Sequence, residues 1–567
     1  MSWIQKLYET YELCAAAPQF ASEPLVPVSH RSATTHIEIV LNEHGGFLRA
    51  RLDKAMTIVP ATERSRLRTG TNPPPHPLCD KVRYCAGDYK AFGGAKKSSF
   101  DQYIKQLREW QDREAGTKTG AVLRYVESAT LVCDLVKNGI LHCDPSGRLL
   151  TAWVSDAPRP EIFGMLAADK ETKTRDQGDA VVRWRVEIPG VLVSALWEDP
   201  EVAESWVRFD TARDTRRGLC MVTGEVSPLA SKHPNGLRSG ADMAKLISFD
   251  DKAGYTYRGR FAIATQAHGI GSAVTQKAHS ALQWLIRRQD RPGFRVGGQV
   301  FVAWALGRDA LPDPFADTAA LFGVAQESGV FEPLAYGGDA GQHFALRLHK
   351  VISGYRASLE GAEGVLVMGL DAATEGRLAI TFYRELSGSE FLDRLEEWHF
   401  RFAWPQRPWR RPQYLGAPSP REIVDSVYGL RVDGEVKIDE KLRKAAVARL
   451  VPCIVDSRPL PGDILAAAVF RVVNRNGFEK DRDGESDWEN CLGVTCALIR
   501  GSRREEKYQM SLEEDRTTRD YLFGRLLAIA DNIERLALLA AGEDRETNAA
   551  RLMQRFADHP GLVTITW

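Results

Sequence analysis

The sequence predicts an α+β protein in which a mixed strand-and-helix body, residues 1–405, is followed by an all-helical region, residues 421–567. Strand-like alternation and helical periodicity are interspersed through the body, whereas nearly every patterned segment beyond residue 421 has helical periodicity alone. Residues 406–420 between them are basic and proline-rich, which favours an extended linker.

Composition indicates a large folded protein without a strong overall charge. The chain has 567 residues, of which 44% are hydrophobic, so it can bury more than one core. Its 75 basic and 75 acidic residues cancel. Any attraction for nucleic acid must therefore come from local basic patches.

The cysteines and the N-terminus favour a cytoplasmic protein. The nine cysteines are odd in number and include no C-x-x-C pair, which favours reduced thiols and argues against a zinc ribbon. The N-terminus lacks the basic leader and uninterrupted apolar run of a signal peptide, and no apolar run approaches about 20 residues. We therefore expect no membrane anchor, and we assign neither a metal nor a cofactor.

The body begins with a predicted helix and a hairpin. The first fifteen residues place apolar side chains at helical spacing. Residues 36–41 alternate apolar and polar side chains, and turn residues 42–46 lead into a second apolar segment at 47–52, which predicts a β-hairpin. Further strands are predicted at residues 56–60, 120–126, 181–188, 299–305, 364–368 and 377–383, and further helices at residues 100–114, 274–289, 341–359 and 389–400.

The C-terminal region is predicted to be a helical bundle. Its predicted helices are residues 421–428, 439–451, 462–474, 488–500, 518–541 and 547–558. The clearest is 518–541, where apolar side chains recur at three- and four-residue steps. This spacing is typical of an amphipathic helix.

A basic loop is the first candidate for DNA contact. Residues 64–76 combine three arginines with a glycine and an asparagine, and three prolines then stiffen the chain. The arginines would contact phosphates, the threonines and the asparagine could reach base edges, and the glycine would let the backbone approach closely. A solvated surface loop has the same composition. The candidate DNA-contacting residues are Arg64, Arg66, Arg68, Thr69, Gly70, Thr71 and Asn72.

Two further segments could contact a nucleic-acid backbone. Residues 268–279 form a glycine turn that leads into a predicted helix, but they lack the Gly-Lys-Ser/Thr ending of a nucleotide-binding loop. Residues 400–411 interleave aromatic rings with arginines, a combination that stacks bases and neutralises phosphates. The structural alternative for the first segment is packing of its helix against the protein. For the second segment it is a linker that folds back on the body. The candidate backbone-contacting residues are Lys277, Arg287, Arg288, Arg407, Arg410 and Arg411.

A metal-dependent nuclease is the main catalytic alternative. Glu225 and Asp250 could hold a divalent ion, and Lys252 could orient the attacking water or steady the developing charge. The motif is short, and Asp250 is equally typical of a tight turn between strands, which we favour. No Ser/His/Asp, Cys/His or paired-carboxylate pattern stands out, so we assign no catalytic residue.

Several ordered blocks carry a family resemblance that the separate motifs do not. They include PPHPLCDK at residues 74–81, LCMVTGE at 219–225, QKAHSALQWLI at 276–286, MGLDAATEGRLAITFY at 368–383 and YLFGRLL at 521–527. Together they resemble the large subunit of the type I-C CRISPR effector complex, called Cascade, along nearly the whole chain.

The resemblance implies a non-catalytic subunit of an RNA-guided complex that recognises foreign duplex DNA. In that family the subunit contacts the protospacer-adjacent motif (PAM), a short duplex sequence beside the target, through a loop that corresponds here to Arg68 to Asn72. It helps to open the duplex, and a recruited Cas helicase-nuclease degrades the DNA. The implied partners are the backbone and crRNA-processing Cas subunits, the small subunit, the crRNA, the target duplex and the helicase-nuclease.

The resemblance also implies that residues 421–567 are similar to the Cascade small subunit, which holds the displaced DNA strand. Family members usually carry further helix where this sequence ends at Trp567, so we expect a shortened bundle. A defence scaffold that contacts only proteins is a third alternative. It predicts no dependence on DNA sequence.

Overall fold

The protein is described by a computed structural model for most of its chain. The described residues are 2–15, 25–68, 73–153, 158–169, 171–213, 216–239, 242–248, 269–289, 294–306, 311–323, 340–359, 364–374, 376–408, 411–432, 434–478, 487–503, 505–506, 508–510 and 512–563.

The chain folds into two compact units. The first contains Met1–Trp284 with Thr374–Leu378, and the second contains Leu285–Ala373 with Ala379–Trp567. Strands and helices occur together in the body and helices dominate the C-terminal region, which confirms the predicted α+β class. The division of the chain by a linker at residues 406–420 stays a prediction.

A three-stranded sheet forms the centre of the first unit. Strands β1 (His30–Asn42) and β2 (Phe47–Pro60) are antiparallel, and β3 (Val182–Glu187) pairs with β1 in parallel, which gives the order β2-β1-β3. Gly45 turns the chain between β1 and β2 with a φ of 85°, a left-handed conformation that glycine adopts without strain. The predicted hairpin is confirmed, with longer strands.

Helices pack around this sheet. They are α1 (Trp3–Ala15), α2 (Glu63–Leu67), α3 (Val82–Cys85), α4 (Phe100–Arg113), α5 (Thr117–Glu127), α6 (Leu131–Lys137), α7 (Glu161–Met165) and α8 (Pro200–Ala212). A small hairpin follows, formed by β4 (Arg217–Leu219) and β5 (Val226–Pro228), and then α9 (Ser272–Arg288).

The alternation along the strands directs one face of the sheet into a core. Ile37 and Ile39 of β1 and Trp184 of β3 are fully buried there, together with apolar side chains of α4 and α5. Burying an aliphatic or aromatic side chain of this size stabilises the fold by about 1.5–3 kcal/mol. The first unit therefore has a core of its own on which surface segments can be held.

The strand predicted at residues 120–126 is wrong, because this segment belongs to α5. The buried residues of α5 are Thr119, Gly120, Ala121, Val122, Tyr125 and Val126. Of these, Ala121, Val122, Tyr125 and Val126 belong to the apolar core and fall on one helical face. Valine and tyrosine in the segment favour a strand locally, but packing at helical spacing against the core outweighs that propensity.

A four-stranded sheet with the order β6-β7-β8-β9 organises the second unit. Its strands are β6 (Arg295–Val296), β7 (Gln299–Ala305), β8 (Val365–Thr374) and β9 (Arg377–Leu386). Every residue of β7 is buried, as expected for an inner strand. The strands predicted at residues 299–305, 364–368 and 377–383 are confirmed. The accompanying helices are α10 (Thr318–Leu321), α11 (Ala340–Ser358) and α12 (Gly388–Arg401).

Helices and two short hairpins complete the second unit. The hairpins pair β10 (Trp404–Gln406) with β11 (Tyr414–Gly416), and β12 (Leu430–Val432) with β13 (Glu435–Lys437). The helices are α13 (Pro420–Tyr428), α14 (Glu440–Val455), α15 (Gly462–Val473), α16 (Trp488–Ser502), α17 (Arg519–Ala541), α18 (Asn548–Arg551), α19 (Met553–Asp558) and α20 (Pro560–Val563). Along the described ranges, no helix has the length and apolar character that crossing a membrane requires.

Candidate nucleic-acid interface

The first two arginines of the predicted loop lie on the short helix α2 instead. The backbone N–H of Ser65 donates to Oγ1 of Thr62 at 3.0 Å, and the N–H of Thr62 donates to Oγ of Ser65 at 2.9 Å. This reciprocal capping box stabilises a helix of only five residues. Arg64 is exposed on α2, whereas Arg66 is turned toward neighbouring elements.

Arg66 links α2 to α9 within the first unit. Its Nη2 donates to Oε1 of Gln276 at 2.6 Å, and the same oxygen accepts the backbone N–H of Ser29 at 2.6 Å. Burial lowers the pKa of Arg66 to about 10, and the nearby negative charge of Asp210 opposes that decrease. The Arg66 guanidinium therefore binds a partner within the protein, the side chain of Gln276.

Asp80 joins the two ends of segment 69–75. Its carboxylate pairs with the guanidinium of Arg68 and accepts the backbone N–H of His76 at 2.6 Å. The other carboxylate oxygen accepts the backbone N–H of Lys81 at 2.7 Å. Because the Asp80 side chain has no exposed surface, these donors replace the water that it lost on folding. The predicted base-contacting residues Thr69, Gly70, Thr71 and Asn72 lie outside the described residues.

His76 is neutral at pH 7 and helps to fix this arrangement. Burial, followed by the positive charge of Arg68, holds the pKa of His76 well below its usual range. Its Nδ1 lies 2.8 Å from Oγ of Ser65, and its Nε2 lies 3.5 Å from Nη1 of Arg31. A neutral ring can accept from Arg31 only at an unprotonated Nε2, so the proton resides on Nδ1 and is donated to Ser65.

The structure therefore assembles a basic cluster on the first unit. We call Arg31, Arg66, Arg68, His76 and Asp80 the Asp80 cluster. Burial, followed by the positive charge of Arg68, lowers the pKa of Arg31, whose Nη1 also donates to the backbone carbonyl of Arg66 at 3.4 Å. Arg68 pairs with the fully buried carboxylate of Asp80, and the negative charge of Asp80 also acts on Arg31. Arg64 is exposed on the same short helix as Arg66.

The candidates on α9 have different surroundings. Lys277 pairs with Glu12 at 2.5 Å, and its Nζ lies 5.6 Å from the ring centroid of Tyr11. Arg287 and Arg288 are exposed in the last turn of α9. Lys277 thus anchors α1 to α9, while the two arginines present their side chains at the surface.

The arginines predicted near residue 410 contact acidic partners in the second unit. Arg407 pairs with Glu489 at 2.8 Å, and Arg411 pairs with Glu422 of α13. Both arginine side chains remain about half exposed. Arg410 lies outside the described residues.

The residues of the nuclease alternative are only partly described. Glu225 is exposed in the turn between β4 and β5, and Asp250 and Lys252 lie outside the described residues. Where the structure describes the chain, no three His, Cys, Asp or Glu side chains are grouped so that they could hold a metal ion.

Sequence reasoning missed the residues that hold the arginines in place. Asp80, Gln276 and Arg31 were not assigned a role, since their contacts with the basic segment cross many residues of sequence. One signal was available: Asp80 is an acidic residue that directly follows the apolar residues 77–79. A buried carboxylate needs positively charged or N–H partners, and the basic segment that precedes Asp80 supplies three arginines.

Two comparisons with known proteins bear on the identity of the chain. No curated protein matched the sequence. A family model described as CRISPR-associated protein, Cas_Csd1, matches residues 7–566. The match covers nearly the whole chain, in agreement with the ordered blocks seen along the sequence. The chain therefore belongs to the Csd1 family of CRISPR-associated proteins, the family of the type I-C large subunit.

Proposed function

We propose that the first unit reads the PAM of duplex DNA through residues 64–72, within an RNA-guided complex. Membership of the Csd1 family supports a role in a Cascade-type CRISPR complex. The observation that carries the finer proposal is the contact of Asp80 with both Arg68 and His76, which holds the two residues that flank segment 69–75 beside a buried core. Side chains that read base edges need such fixed supports.

These contacts suggest different roles for the three arginines of the segment. Removing Arg68 from Asp80 would leave a buried carboxylate without its charged partner, which costs about 3–5 kcal/mol. In this proposal Arg68 and Arg66 support the segment through these contacts, and Arg64 is the exposed arginine that contacts a phosphate. The proposed base-edge contacts are Thr69, Thr71 and Asn72, with Gly70 allowing close backbone approach.

A second set of contacts to the nucleic-acid backbone is proposed at Arg287 and Arg288, which are exposed at the end of α9. Lys277, Arg407, Arg410 and Arg411 complete this set. For Lys277, Arg407 and Arg411, a DNA contact requires exchange of an acidic partner for a phosphate. The contribution of these three residues to DNA binding should therefore depend strongly on the salt concentration.

The wider proposal is a non-catalytic role in antiviral defence. The subunit contacts the PAM, helps to open the duplex and supports pairing of the crRNA with the target strand, so that an R-loop forms. The helical C-terminal region holds the displaced strand, and a Cas helicase-nuclease is recruited to cleave it. The proposed partners are the backbone, crRNA-processing and small subunits, the crRNA and the target duplex, all of which meet in the cytoplasm.

The test measures duplex binding by the reconstituted RNA-guided complex across randomised bases beside a matched target, at fixed salt. Asn72→Ala should reduce the preference for particular flanking bases by about 1–3 kcal/mol per lost base contact. Arg64→Ala should weaken binding to every duplex alike and lower the salt dependence by about one phosphate contact. Lys105→Ala, at an exposed position of α4, is the control and should change neither property.

An unchanged flanking preference in Asn72→Ala, together with unchanged salt dependence in Arg64→Ala, would show that residues 64–72 do not read the motif. Divalent metal gives a second readout. Binding by a recognition subunit does not require it, whereas a nuclease using Glu225, Asp250 and Lys252 would cleave DNA only with the metal and would lose cleavage in Asp250→Ala.

A further inference from the structure

A second basic group of side chains lies next to the Asp80 cluster on the first unit. The Nζ atoms of Lys81 and Lys96 lie 2.8 Å and 2.5 Å from the two carboxylate oxygens of Asp179. Nη2 of Arg83 lies 3.3 Å from the same carboxylate. We call these four residues the Asp179 cluster. Three cations share one carboxylate, so two positive charges of the cluster are left uncompensated.

The excess positive charge acts on the carboxylate itself. Burial alone would raise the pKa of Asp179, but the charges and hydrogen bonds of Lys81 and Lys96, with the charge of Arg83, outweigh burial and lower that pKa. Asp179 is therefore ionised at pH 7 and neutralises one of its three neighbours. Like charges held this close repel one another, so a second anion would relieve the repulsion.

The buried ring of Tyr89 holds the cluster in place. Its O–H donates to the carboxylate of Asp176 at 3.0 Å, and its oxygen accepts the backbone N–H of Lys96 at 3.3 Å. Gly94 and Gly178 lie against the ring so closely that a Cβ on either would come within 2.3 Å or 2.5 Å of ring atoms. The chain beside Lys96 and the chain beside Asp179 are therefore packed on the same ring, which fixes the distance between them.

The two lysines can donate to a further acceptor. Their side chains are 29% and 38% exposed for Lys81 and Lys96, respectively. An ammonium group has three N–H donors, and the contact with Asp179 uses one from each lysine. Because both ammonium groups contact the same carboxylate, they are close enough together for one phosphate group to accept from both.

The Asp179 cluster adjoins the segment proposed to read DNA. The backbone N–H of Lys81 donates to the carboxylate of Asp80 at 2.7 Å. The ring of Tyr84 lies between the two groups, with its centroid 5.4 Å from the guanidinium of Arg68 and 4.9 Å from that of Arg83. Both groups of cations are therefore supported by the same short stretch of chain around α3.

We propose that the Asp179 cluster binds a backbone phosphate of the duplex whose bases are read by residues 64–72. This inference rests on the proposed function, which brings the duplex to this part of the first unit. Phosphate contacts carry no sequence information, but they fix the register of a protein on its duplex. The cluster thus positions the PAM against the reading segment.

The test is the salt dependence of duplex binding by the reconstituted RNA-guided complex. Lys81→Gln and Lys96→Gln remove the charges and keep most of the aliphatic stems. The double variant should lower the slope of log affinity against log salt by about 0.9, the value for one phosphate contact, and should weaken binding equally for every flanking sequence. Lys105→Gln, at a lysine that is 78% exposed on α4, is the control and should keep the wild-type slope.

Asp179→Asn has the opposite expected effect. It removes the carboxylate that competes with the phosphate, so the complex should bind DNA more tightly at low salt. An ion-pair group with a structural role alone would be weakened by Asp179→Asn as well as by the lysine changes. An unchanged slope in the double lysine variant, or weaker DNA binding in Asp179→Asn, would therefore overturn the proposal.

Two further readouts separate this inference from its alternatives. Loss of crRNA from the purified complex of the double lysine variant, with an unchanged salt dependence of DNA binding, would also overturn the proposal, because it assigns the cluster to the guide RNA. Asn72→Ala tests the proposed function separately, since it reports on base preference at fixed salt. A lost base preference in Asn72→Ala with a wild-type slope in the double lysine variant would reject the phosphate site alone.

Discussion

The guanidinium of Arg68 pairs with a carboxylate of Asp80 that has no exposed surface. The same carboxylate accepts the backbone N–H of His76, so one acidic side chain holds both ends of the segment between them. A buried carboxylate in this position is costly unless all of its partners are present. The stability of the first unit and the geometry of the proposed DNA-reading segment therefore depend on the same residue.

Asp80→Ala is expected to lower the free energy of unfolding by about 3–5 kcal/mol, because it leaves the Arg68 guanidinium and the His76 N–H without their acceptor. Asp80→Asn keeps an oxygen that can accept the His76 N–H but removes the charge, so its free energy of unfolding should fall less than that of Asp80→Ala. Urea denaturation followed by tryptophan fluorescence measures both. Asp112→Ala, at an exposed position of α4, is the control and should change stability by less than about 0.5 kcal/mol. Equal stability of Asp80→Ala and Asp112→Ala would contradict the assignment.

The periodic segments of the fold were predictable from sequence, and the short or locally ambiguous ones were not. The buried strand β7 and the helices α4 and α12 follow from apolar spacing. Helix α2 has only five residues and is stabilised by the Thr62 cap, so no periodicity identifies it. Helix α5 carries strand-favouring residues, and its conformation is determined by packing.

The candidate site was predictable in its residue types but not in its contacts. Arginine spacing drew attention to Arg66 and Arg68, yet their partners Gln276 and Asp80 are identified only by the fold. The same limit applies to α17: periodicity predicts which face is apolar, but only the structure shows that this face is exposed. A single sequence can mark a residue such as Asp80 as needing a partner, but it does not identify which distant residue that partner is.

Buried histidines make the first unit sensitive to acid. Burial lowers the pKa of His30 and of His279 to about 4, against about 6.5 for a histidine in an unfolded chain. Between these values the unfolded chain binds protons that the folded chain does not. The free energy of unfolding should therefore fall as the pH drops from about 6.5 to about 4, by up to about 1.4 kcal/mol per pH unit for each histidine. Above about pH 6.5 these histidines are neutral in both the folded and the unfolded chain, so this loss of stability is absent.

Urea denaturation at a series of pH values checks this dependence. His279→Gln removes one of these titrating groups, so the loss of stability between about pH 6.5 and about pH 4 should be shallower than in the wild type. The control is His44→Gln, at a side chain that is 84% exposed, and it should keep the wild-type slope. The same slope in all three proteins would show that His279 does not cause the acid sensitivity.

Arg183→Lys is expected to destabilise the first unit although it keeps the charge. Arg183 donates to Glu38 at 2.8 Å and to Asp53 at 2.6 Å, and its guanidinium lies 4.1 Å from the Trp197 ring centroid. A lysine ammonium cannot bridge both carboxylates and stack on the ring. Loss of one charged hydrogen bond corresponds to about 1.5–3 kcal/mol in urea denaturation. Arg49→Lys, at an exposed ion pair on β2, should cost less than about 1 kcal/mol.

Two glycine-to-alanine substitutions should have opposite effects in the second unit. In Gly501→Ala, the new Cβ of α16 would lie 2.3 Å from the ring of Phe402, whose side chain is buried. The ring and the two backbones would have to move apart, so we expect a loss of about 1–3 kcal/mol in the free energy of unfolding. In Gly524→Ala, the new Cβ of α17 meets no atom within 4 Å.

Gly524→Ala should therefore stabilise the protein by about 0.5–1 kcal/mol, because alanine loses less backbone entropy than glycine when a helix forms. Both variants replace glycine by alanine inside a helix, so each is the control for the other, and the difference between them isolates the close approach of α16 to Phe402. Urea denaturation of the full-length protein measures both changes. A gain in stability for Gly501→Ala equal to that for Gly524→Ala would mean that α16 and the Phe402 ring do not pack as closely as described.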